Sequence, residues 1–366
     1  MKHFIQFFKS VLYFSAEMIN QVINPKMILL ARESRGLTQQ SLAERINTNK
    51  AQLSRMENGE VSLSGDMLLS MAEATSYPAH FFFQKGDVVP VNLAYRKRQH
   101  VPAKIIAPIE AQVNIMRMHA EILLDILKIP LPALPVHQVT EEKNPAAIAA
   151  LTRSAWNVKT PVIDNLIQLL EEKGLLINLF DFGTERVDSK SILTGSRFPL
   201  IFLNASLLGD RQRFSLAYEL GHLIMHTFTV VPHNRNVAHE ANEFAAEFLM
   251  PADEIRKDFE KGVSLPLLGE LKRKWKASMI SLLYRADDLG FLSPSQKRYL
   301  IQQFNQLRIR RREPAELDIP VEKPILVSKL IADCRKKLNL HITGMATLLS
   351  MQESEYLELY GEDQPT

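Results

Sequence analysis

The stretch that decides the fold is Tyr218-Glu219-Leu220-Gly221-His222, inside a predicted helix. Its spacing is that of H-E-x-x-H, a pattern in which two histidines one helical turn apart bind zinc and the glutamate acts as general base. Here a tyrosine stands where the first histidine is expected. The stretch therefore predicts Glu219 as candidate general base, His222 as candidate zinc ligand and Tyr218 in the first-ligand position.

The tyrosine weakens this predicted metal site. A phenol oxygen binds zinc only when ionised, and because an unperturbed tyrosine has a pKa of about 10, its deprotonation at neutral pH costs roughly 4 kcal/mol. Three histidines are alternative ligands: His226, one turn beyond His222, and His233 and His239 in the segment that follows. The sequence thus predicts a zinc site of much reduced affinity.

A catalytic zinc also needs a ligand from another part of the chain. Further along, Phe244, Phe248 and Leu249 form an apolar stripe at helical spacing, which predicts a second helix packed on the first. On spacing alone, either Glu240 or Glu243 could direct its carboxylate towards the first helix.

Near the N-terminus the sequence predicts two short helices joined by a tight turn. Thr38 is the predicted N-cap of the first, and the second spans Lys50 to Glu57. This is the helix-turn-helix unit, whose second helix enters the major groove of DNA. Because Leu53 and Met56 are predicted to face inward, the outward face is left to Lys50, Gln52, Ser54 and Arg55.

Three stretches of this segment carry a family resemblance. Gly36-Leu37-Thr38-Gln39, Leu53-Ser54-Arg55-Met56-Glu57-Asn58-Gly59 and Phe81-Phe82 closely resemble the Cro/C1 (Xre-type) repressor domain. The resemblance implies a five-helix bundle that binds a double-stranded DNA operator. The positions that face bases or phosphates in that family correspond here to Gln39, Lys50, Ala51 and Arg55. The charge excess of this segment is mild, so one module would bind DNA weakly, and pairing on a palindromic site predicts a homodimer.

A second resemblance covers most of residues 150–325. Arg211-Gln212-Arg213-Phe214-Ser215-Leu216-Ala217, Glu219-Leu220-Gly221-His222-Leu223 and Glu240-Ala241-Asn242 resemble the ImmA/IrrE family of metallopeptidases. In that family the general base matches Glu219, and the zinc ligands match His222, Glu240 and the position of Tyr218. The resemblance implies a protein substrate, typically a repressor of the helix-turn-helix type. Family members fused to an N-terminal Xre module are a recognisable arrangement.

The predicted fold class is mainly α with a small α+β domain. An N-terminal five-helix Cro/C1-like bundle precedes a zincin-like domain with a short three-stranded sheet and the H-E-x-x-H-type helix, and a helical C-terminal region follows. The predicted strands are Leu175–Phe180, Ser191–Thr194 and Leu200–Leu203. The predicted domains are an N-terminal extension 1–26, the DNA-binding domain 27–86, a linker with an amphipathic helix 87–149, the peptidase-like domain 150–325 and a C-terminal helical segment 326–366.

Composition narrows the class of protein further. The 366 residues are 46% hydrophobic, which excludes a mainly disordered chain, and the single cysteine predicts a reducing cytoplasm. Residues 1–26 are interpreted as an amphipathic or disordered extension, or as the product of a start codon assigned too early. Gln6 and Lys9 interrupt its apolar run, so neither an export signal nor membrane attachment is predicted. The basic cluster Tyr95-Arg96-Lys97-Arg98 is either a set of phosphate contacts or a solvated hinge.

These observations support three hypotheses of function. The first is a DNA-binding transcriptional regulator, controlling a prophage, stress or toxin-antitoxin operon, whose zinc-peptidase domain has weak or lost catalysis because of Tyr218. The second is an active zinc endopeptidase that cleaves a repressor protein. The third is an antitoxin-like partner that masks a cognate toxin with its C-terminal helices.

Overall fold

The computed structural model describes residues 22–89 and 101–361. The cluster Tyr95-Arg96-Lys97-Arg98 and residues 1–21 of the predicted extension lie outside the described residues. Within these ranges, no helix combines the length and apolar composition needed to cross a bilayer.

The N-terminal bundle contains four α-helices and a short 3-10 helix: α1 (Pro25–Ser34), α2 (Gln39–Arg45), α3 (Lys50–Glu57), α4 (Gly65–Thr75) and the 3-10 helix Ala79–Phe83. The side chain of Thr38 caps α2, as predicted, by accepting a hydrogen bond from the backbone N–H of Ser41 at 3.0 Å. The predicted bundle is confirmed, with a 3-10 helix as its fifth member.

A long helix, α5 (Ala103–Leu127), connects this bundle to the rest of the chain. Pro108 lies inside this helix, near its beginning, where a proline removes only one early hydrogen bond. Its residues Ala111, Ile115 and Met118 complete the core of the bundle, whereas other apolar residues of α5 pack against the sheet. This helix is therefore shared by two hydrophobic cores.

The second half contains a small sheet surrounded by helices. The elements that precede and form the sheet are α6 (Pro145–Ala155), α7 (Leu166–Glu172), β1 (Leu176–Phe180), β2 (Ser189–Leu193) and β3 (Pro199–Asn204). The helices that follow are α8 (Gly209–Met225), α9 (Val237–Leu249), α10 (Ala252–Phe259), α11 (Leu265–Trp275), α12 (Met279–Asp288) and α13 (Pro294–Gln306). After a 3-10 turn at Ala315–Leu317, the chain ends its described part with α14 (Leu326–Leu338), α15 (Ile342–Leu348) and α16 (Glu353–Tyr360).

The sheet has the order β1-β3-β2, with β3 parallel to β1 and antiparallel to β2. The central strand is buried on both faces: Ile201 and Leu203 join the core formed with α8, while Leu200 and Phe202 join the core formed with α5 and the C-terminal helices. The sheet thus separates the candidate metal helix on one side from α5 on the other. The mainly helical fold with a small three-stranded sheet agrees with the prediction.

Candidate functional site

The helix of the H-E-x-x-H-type motif, α8, is buried along most of its length. It packs closely against α9 at Gly221, which has no side chain to keep the two helices apart. A Cβ atom added at this glycine would lie only 3.0 Å from the ring of Phe244. This contact brings His222 on α8 towards Glu240 on α9. On another side of α8, Glu219 faces strand β2.

The carboxylate of Glu219 is fixed by three hydrogen bonds from two serines of β2. The hydroxyl of Ser189 donates to Oε1 at 2.9 Å, and the backbone N–H and hydroxyl of Ser191 donate to Oε2 at 2.8 Å and 2.6 Å. The Glu219 residue is only 2% exposed. These donors satisfy the buried carboxylate and hold it against the sheet.

Lys190 lies between these two serines in β2. Burial lowers the pKa of the Lys190 ammonium, and the negative charges of Glu219 and of Glu110 on α5 oppose this decrease. The Glu219 carboxylate therefore lies in an electrostatic environment that includes a lysine as well as the serine donors.

A chain of polar contacts runs from His222 to Arg235. The Nδ1 atoms of His222 and His226 lie 3.0 Å apart, and Nε2 of His226 lies 2.8 Å from Oε2 of Glu240. The other oxygen of Glu240 accepts a hydrogen bond from Nε of Arg235 at 2.7 Å. The imidazole of His226 thus lies between His222 and the carboxylate predicted to be a metal ligand.

The charges of His222 and Glu240 depend on their burial and on their neighbours. Burial lowers the pKa of His222 to about 3, helped by the neighbouring His226 and Lys190, so this imidazole is neutral at physiological pH. Burial by itself would raise the pKa of Glu240, but the hydrogen bonds from Arg235 and His226 lower it below its usual range. Glu240 is therefore an ionised carboxylate whose counter-ion is supplied by the protein.

Tyr218 lies one turn before His222 with its ring buried. The rings of Tyr218 and His222 pack edge to face, with their centroids 4.7 Å apart and an interplanar angle of 78°. Only 1% of Tyr218 is exposed. Because ionisation of a phenol is disfavoured by burial, this environment does not favour the form of tyrosine that binds a metal.

The donor set does not fit a catalytic zinc. Of the three expected ligands, one is a buried phenol, and Glu240 already has a guanidinium on one oxygen and an imidazole on the other. Across residues 22–89 and 101–361, no three His, Cys, Asp or Glu side chains converge in an arrangement that would hold a metal ion. Nε2 of His222 is buried and makes no hydrogen bond with the described part of the chain.

Of the three alternative ligands, His226 contacts both His222 and Glu240. His233 and His239 are exposed, and the structure brings Glu240 rather than Glu243 to His226. Arg213, on the same helix as Glu219, forms an ion pair with Glu322 and donates to the carbonyl of Ile163.

Sequence reasoning missed the two serines and Arg235. Only Ser191 lay on the predicted strand, so the sequence did not indicate that Ser189, two residues earlier, shares its face. Nothing in the sequence around Arg235 distinguishes it from an ordinary loop arginine.

The candidate DNA interface is the outward face of α3. Lys50, Ala51, Gln52 and Arg55 are exposed and Ser54 is half-buried, while Leu53 and Met56 are buried. Gln39 lies at the start of α2, where its amide nitrogen donates to Oε2 of Glu57 at 2.7 Å. Glu57 in turn pairs with the buried guanidinium of Arg32. Gln39 is therefore held in place by the bundle rather than free in solution.

Two protein families match this chain, one at the N-terminal bundle and one at the domain that contains α8. Residues 28–82 match the family described as helix-turn-helix, and residues 170–287 match the family described as the IrrE N-terminal-like domain. The predicted fusion of a Cro/C1-type module to an ImmA/IrrE-like peptidase domain is thereby confirmed. No curated protein matches the chain.

Proposed function

We propose that this protein is a sequence-specific DNA-binding transcriptional regulator whose IrrE-like domain has lost zinc-dependent peptidase activity. The observation that carries this proposal is the state of Glu219. Its carboxylate accepts three hydrogen bonds from Ser189 and Ser191, which supports a role for this residue in holding α8 against β2.

Chemistry supports this interpretation of Glu219. A general base has to lie within hydrogen-bond reach of the proton that it removes, and its lone pairs have to be available to accept that proton. The carboxylate of Glu219 already accepts strong hydrogen bonds in a buried setting, where breaking them is costly. Together with the phenol of Tyr218, this arrangement favours a structural role for the former catalytic residues.

The exposed face of α3 supports the DNA-binding half of the proposal. Its lysine and arginine are suited to phosphates and guanine edges, and its glutamine is suited to adenine. We infer that Lys50, Gln52 and Arg55, with Ala51, Ser54 and the fixed Gln39, form the reading surface. Binding by a homodimer to a palindromic operator follows from the weak affinity expected of one module.

The test combines two measurements on the full-length protein. Zinc per chain is measured after purification and dialysis against a zinc buffer, and binding to the DNA upstream of the gene is measured by gel shift. We expect far less than one zinc per chain together with salt-sensitive, sequence-dependent DNA binding. One zinc per chain with cleavage of a repressor protein would overturn the loss of catalysis, and absence of sequence-dependent binding would overturn the regulator.

A Tyr218→His variant provides the comparison for zinc, with Tyr299→His as the matched control. Tyr218→His restores two imidazoles one turn apart, so we expect its zinc content to rise above that of the original chain. Tyr299 is 61% exposed on α13, and a histidine there should leave the zinc content unchanged.

An active zinc endopeptidase is the second candidate function, and one observation favours it. Nε2 of His222 is buried without a hydrogen-bond partner, as a ligand awaiting a metal would be. If this candidate is correct, His222→Gln will remove zinc and proteolysis together from the original chain. The first proposal predicts no zinc-dependent activity for that variant to lose.

A further inference from the structure

A cleft of about 770 Å³ lies away from the candidate metal site, between the start of α8, the start of α12 and the loop after α13. Arg211 on α8 lines it, whereas His222 lies about 16 Å further along the same helix at 1.5 Å per residue. The volume is that of a pocket for a drug-sized or cofactor-sized molecule. The proposed function assigns no role to this cleft.

The loop that forms one wall of the cleft is firmly anchored. Glu313 and Asp210 both pair with the buried ammonium of Lys272, at 2.7 Å and 2.5 Å. On the outer side, Arg312 makes two hydrogen bonds to the carboxylate of Asp318, at 2.5 Å and 2.6 Å. The C-terminal end of the loop is therefore fixed by the contacts of Glu313 and Arg312. None of these contacts involves the other arginines of the loop.

Three arginines of this loop line the cleft without an acidic partner. Arg308, Arg310 and Arg311 are exposed, and their guanidinium groups make no ion pair or hydrogen bond with any described part of the chain. Arg211, by contrast, is already paired with Asp188. The backbone of Arg308 has a φ of +57°, a conformation in which glycine or asparagine is usual. Three unpaired guanidinium groups around one concave surface make a site for several negative oxygens.

The remaining lining of the cleft, from α8 and α12, is partly apolar and is called here the apolar wall. It includes Phe214, Ile280 and the ring of Tyr284, which is 39% exposed. An aromatic ring at the rim of a cleft offers a surface on which a planar group can stack. An inorganic anion would use only the arginines, whereas a ligand with a phosphate chain and a flat ring would use both walls.

We infer that this cleft binds a small phosphorylated ligand of the nucleotide type, with its phosphates on Arg308, Arg310 and Arg311 and its ring against Tyr284. The arginines supply charge-assisted hydrogen bonds in a fork geometry that matches phosphate oxygens. The apolar wall supplies affinity for the remainder of the molecule. The inference goes beyond the proposed function and does not depend on it.

The experiment uses the full-length protein and three probes: ATP, inorganic tripolyphosphate and adenosine, each titrated calorimetrically at low ionic strength without metal. The cleft variant is Arg308→Asn, Arg310→Gln and Arg311→Gln, with asparagine chosen because it tolerates positive φ. The control variant is Arg186→Gln, Lys261→Gln and Arg298→Gln, which removes the same charge from exposed positions outside the cleft. Thermal unfolding establishes that both variants fold.

We expect ATP to bind more tightly than either tripolyphosphate or adenosine. The cleft variant should weaken ATP binding by about tenfold or more, and the control variant by less than about twofold. The double variant Arg310→Gln/Arg311→Gln, which leaves the strained position intact, should give an intermediate loss. Failure of ATP to bind the original chain, or an equal loss in the control variant, would overturn the inference.

Two further outcomes are decisive. Tyr284→Ala should weaken ATP binding while leaving tripolyphosphate binding unchanged, and equal effects on both probes would contradict the role of the apolar wall. Binding to a duplex of random sequence is measured in parallel. If the cleft variant weakens duplex binding tenfold but leaves ATP binding intact, the arginines contact nucleic-acid backbone and the inference is wrong.

Discussion

Ser191 binds one oxygen of Glu219 twice, through its backbone N–H at 2.8 Å and its hydroxyl at 2.6 Å. The N–H belongs to β2, a strand at the edge of the three-stranded sheet. One of the backbone donors of this edge strand is therefore used by a side chain from α8. The residue that matches a general base is thus part of the contact between helix and sheet.

This relationship predicts a stability change on removal of the serine hydroxyls. Ser189→Ala and Ser191→Ala each leave a buried carboxylate oxygen with fewer donors, so each should lower the free energy of unfolding by about 1–3 kcal/mol. Glu219→Gln should be destabilising as well, because it places an amide against the same donors. Urea unfolding measures all three variants, with the exposed Ser62→Ala as control. A Glu219→Gln variant as stable as the original chain, or more so, would indicate a carboxylate kept free for catalysis.

Local patterns made some features predictable and tertiary placement hid others. The N-cap at Thr38 and the inward positions Leu53 and Met56 depend on residues close in sequence, so they could be predicted. The contact of Ser191 with Glu219 depends on how α8 lies over β2, and no local pattern encodes that placement. The predicted start of β2, Ser191, is two residues later than its observed start, Ser189. A polar serine does not indicate a buried strand residue, and here its hydroxyl is satisfied by a hydrogen bond to Glu219.

In the candidate metal site, too, local spacing was predictable and tertiary contacts were not. Tyr218, Glu219 and His222 were recognisable because their spacing is that of one helical turn. The position of His226 between His222 and Glu240 was not, since it depends on the path of the chain after α8 ends and on the position of α9. Arg235 comes from the intervening loop, whose sequence does not indicate which carboxylate it meets.

A buried histidine on α5 predicts how stability depends on pH. Burial lowers the pKa of His119 to about 4, and its Nδ1 lies 3.1 Å from the hydroxyl of Tyr360 on α16. The unfolded chain binds a proton near pH 6.5, whereas the folded chain does not until about pH 4, so stability present at pH 7 is lost as pH falls through this window. At pH 5 the loss from this group should be about 2 kcal/mol.

Urea unfolding at pH 7.5 and pH 5.0 measures this prediction. His119→Gln should lower stability at pH 7.5 through lost packing, yet it should reduce the difference between the two pH values. His239→Gln, at an exposed position, should leave that difference unchanged. An unaltered pH dependence in His119→Gln would show that other groups cause the acid sensitivity.

The exposed face of α3 predicts which substitutions affect DNA binding. Arg55→Ala should weaken binding to the upstream DNA by about tenfold to a hundredfold if its guanidinium reads a base. Arg298→Ala, which removes the same charge from α13, is the control. Gel shifts at several salt concentrations distinguish base contacts from phosphate contacts. Equal affinities for all three proteins would mean that α3 is not the reading helix.

The DNA-binding bundle is joined to the C-terminal helices by one well-formed ion pair. The guanidinium of Arg35 makes two hydrogen bonds of 2.9 Å to the carboxylate of Glu355 on α16, and it also lies over the ring of Tyr77 at 4.1 Å. Both side chains are partly buried, at 26% and 18% exposure. Such a two-point contact between distant segments should contribute more than an ordinary surface pair.

A double-mutant cycle with Arg35→Ala and Glu355→Ala should therefore give a coupling free energy of about 1 kcal/mol by urea unfolding. The matched control is Lys128 with Asp125, whose side chains are 74% and 64% exposed and whose coupling should be close to zero. Protease sensitivity of the bundle itself should rise in either the Arg35 or the Glu355 variant, because the bundle loses this contact with α16. Equal coupling in the two pairs would mean that this ion pair does not help to hold the bundle against α16.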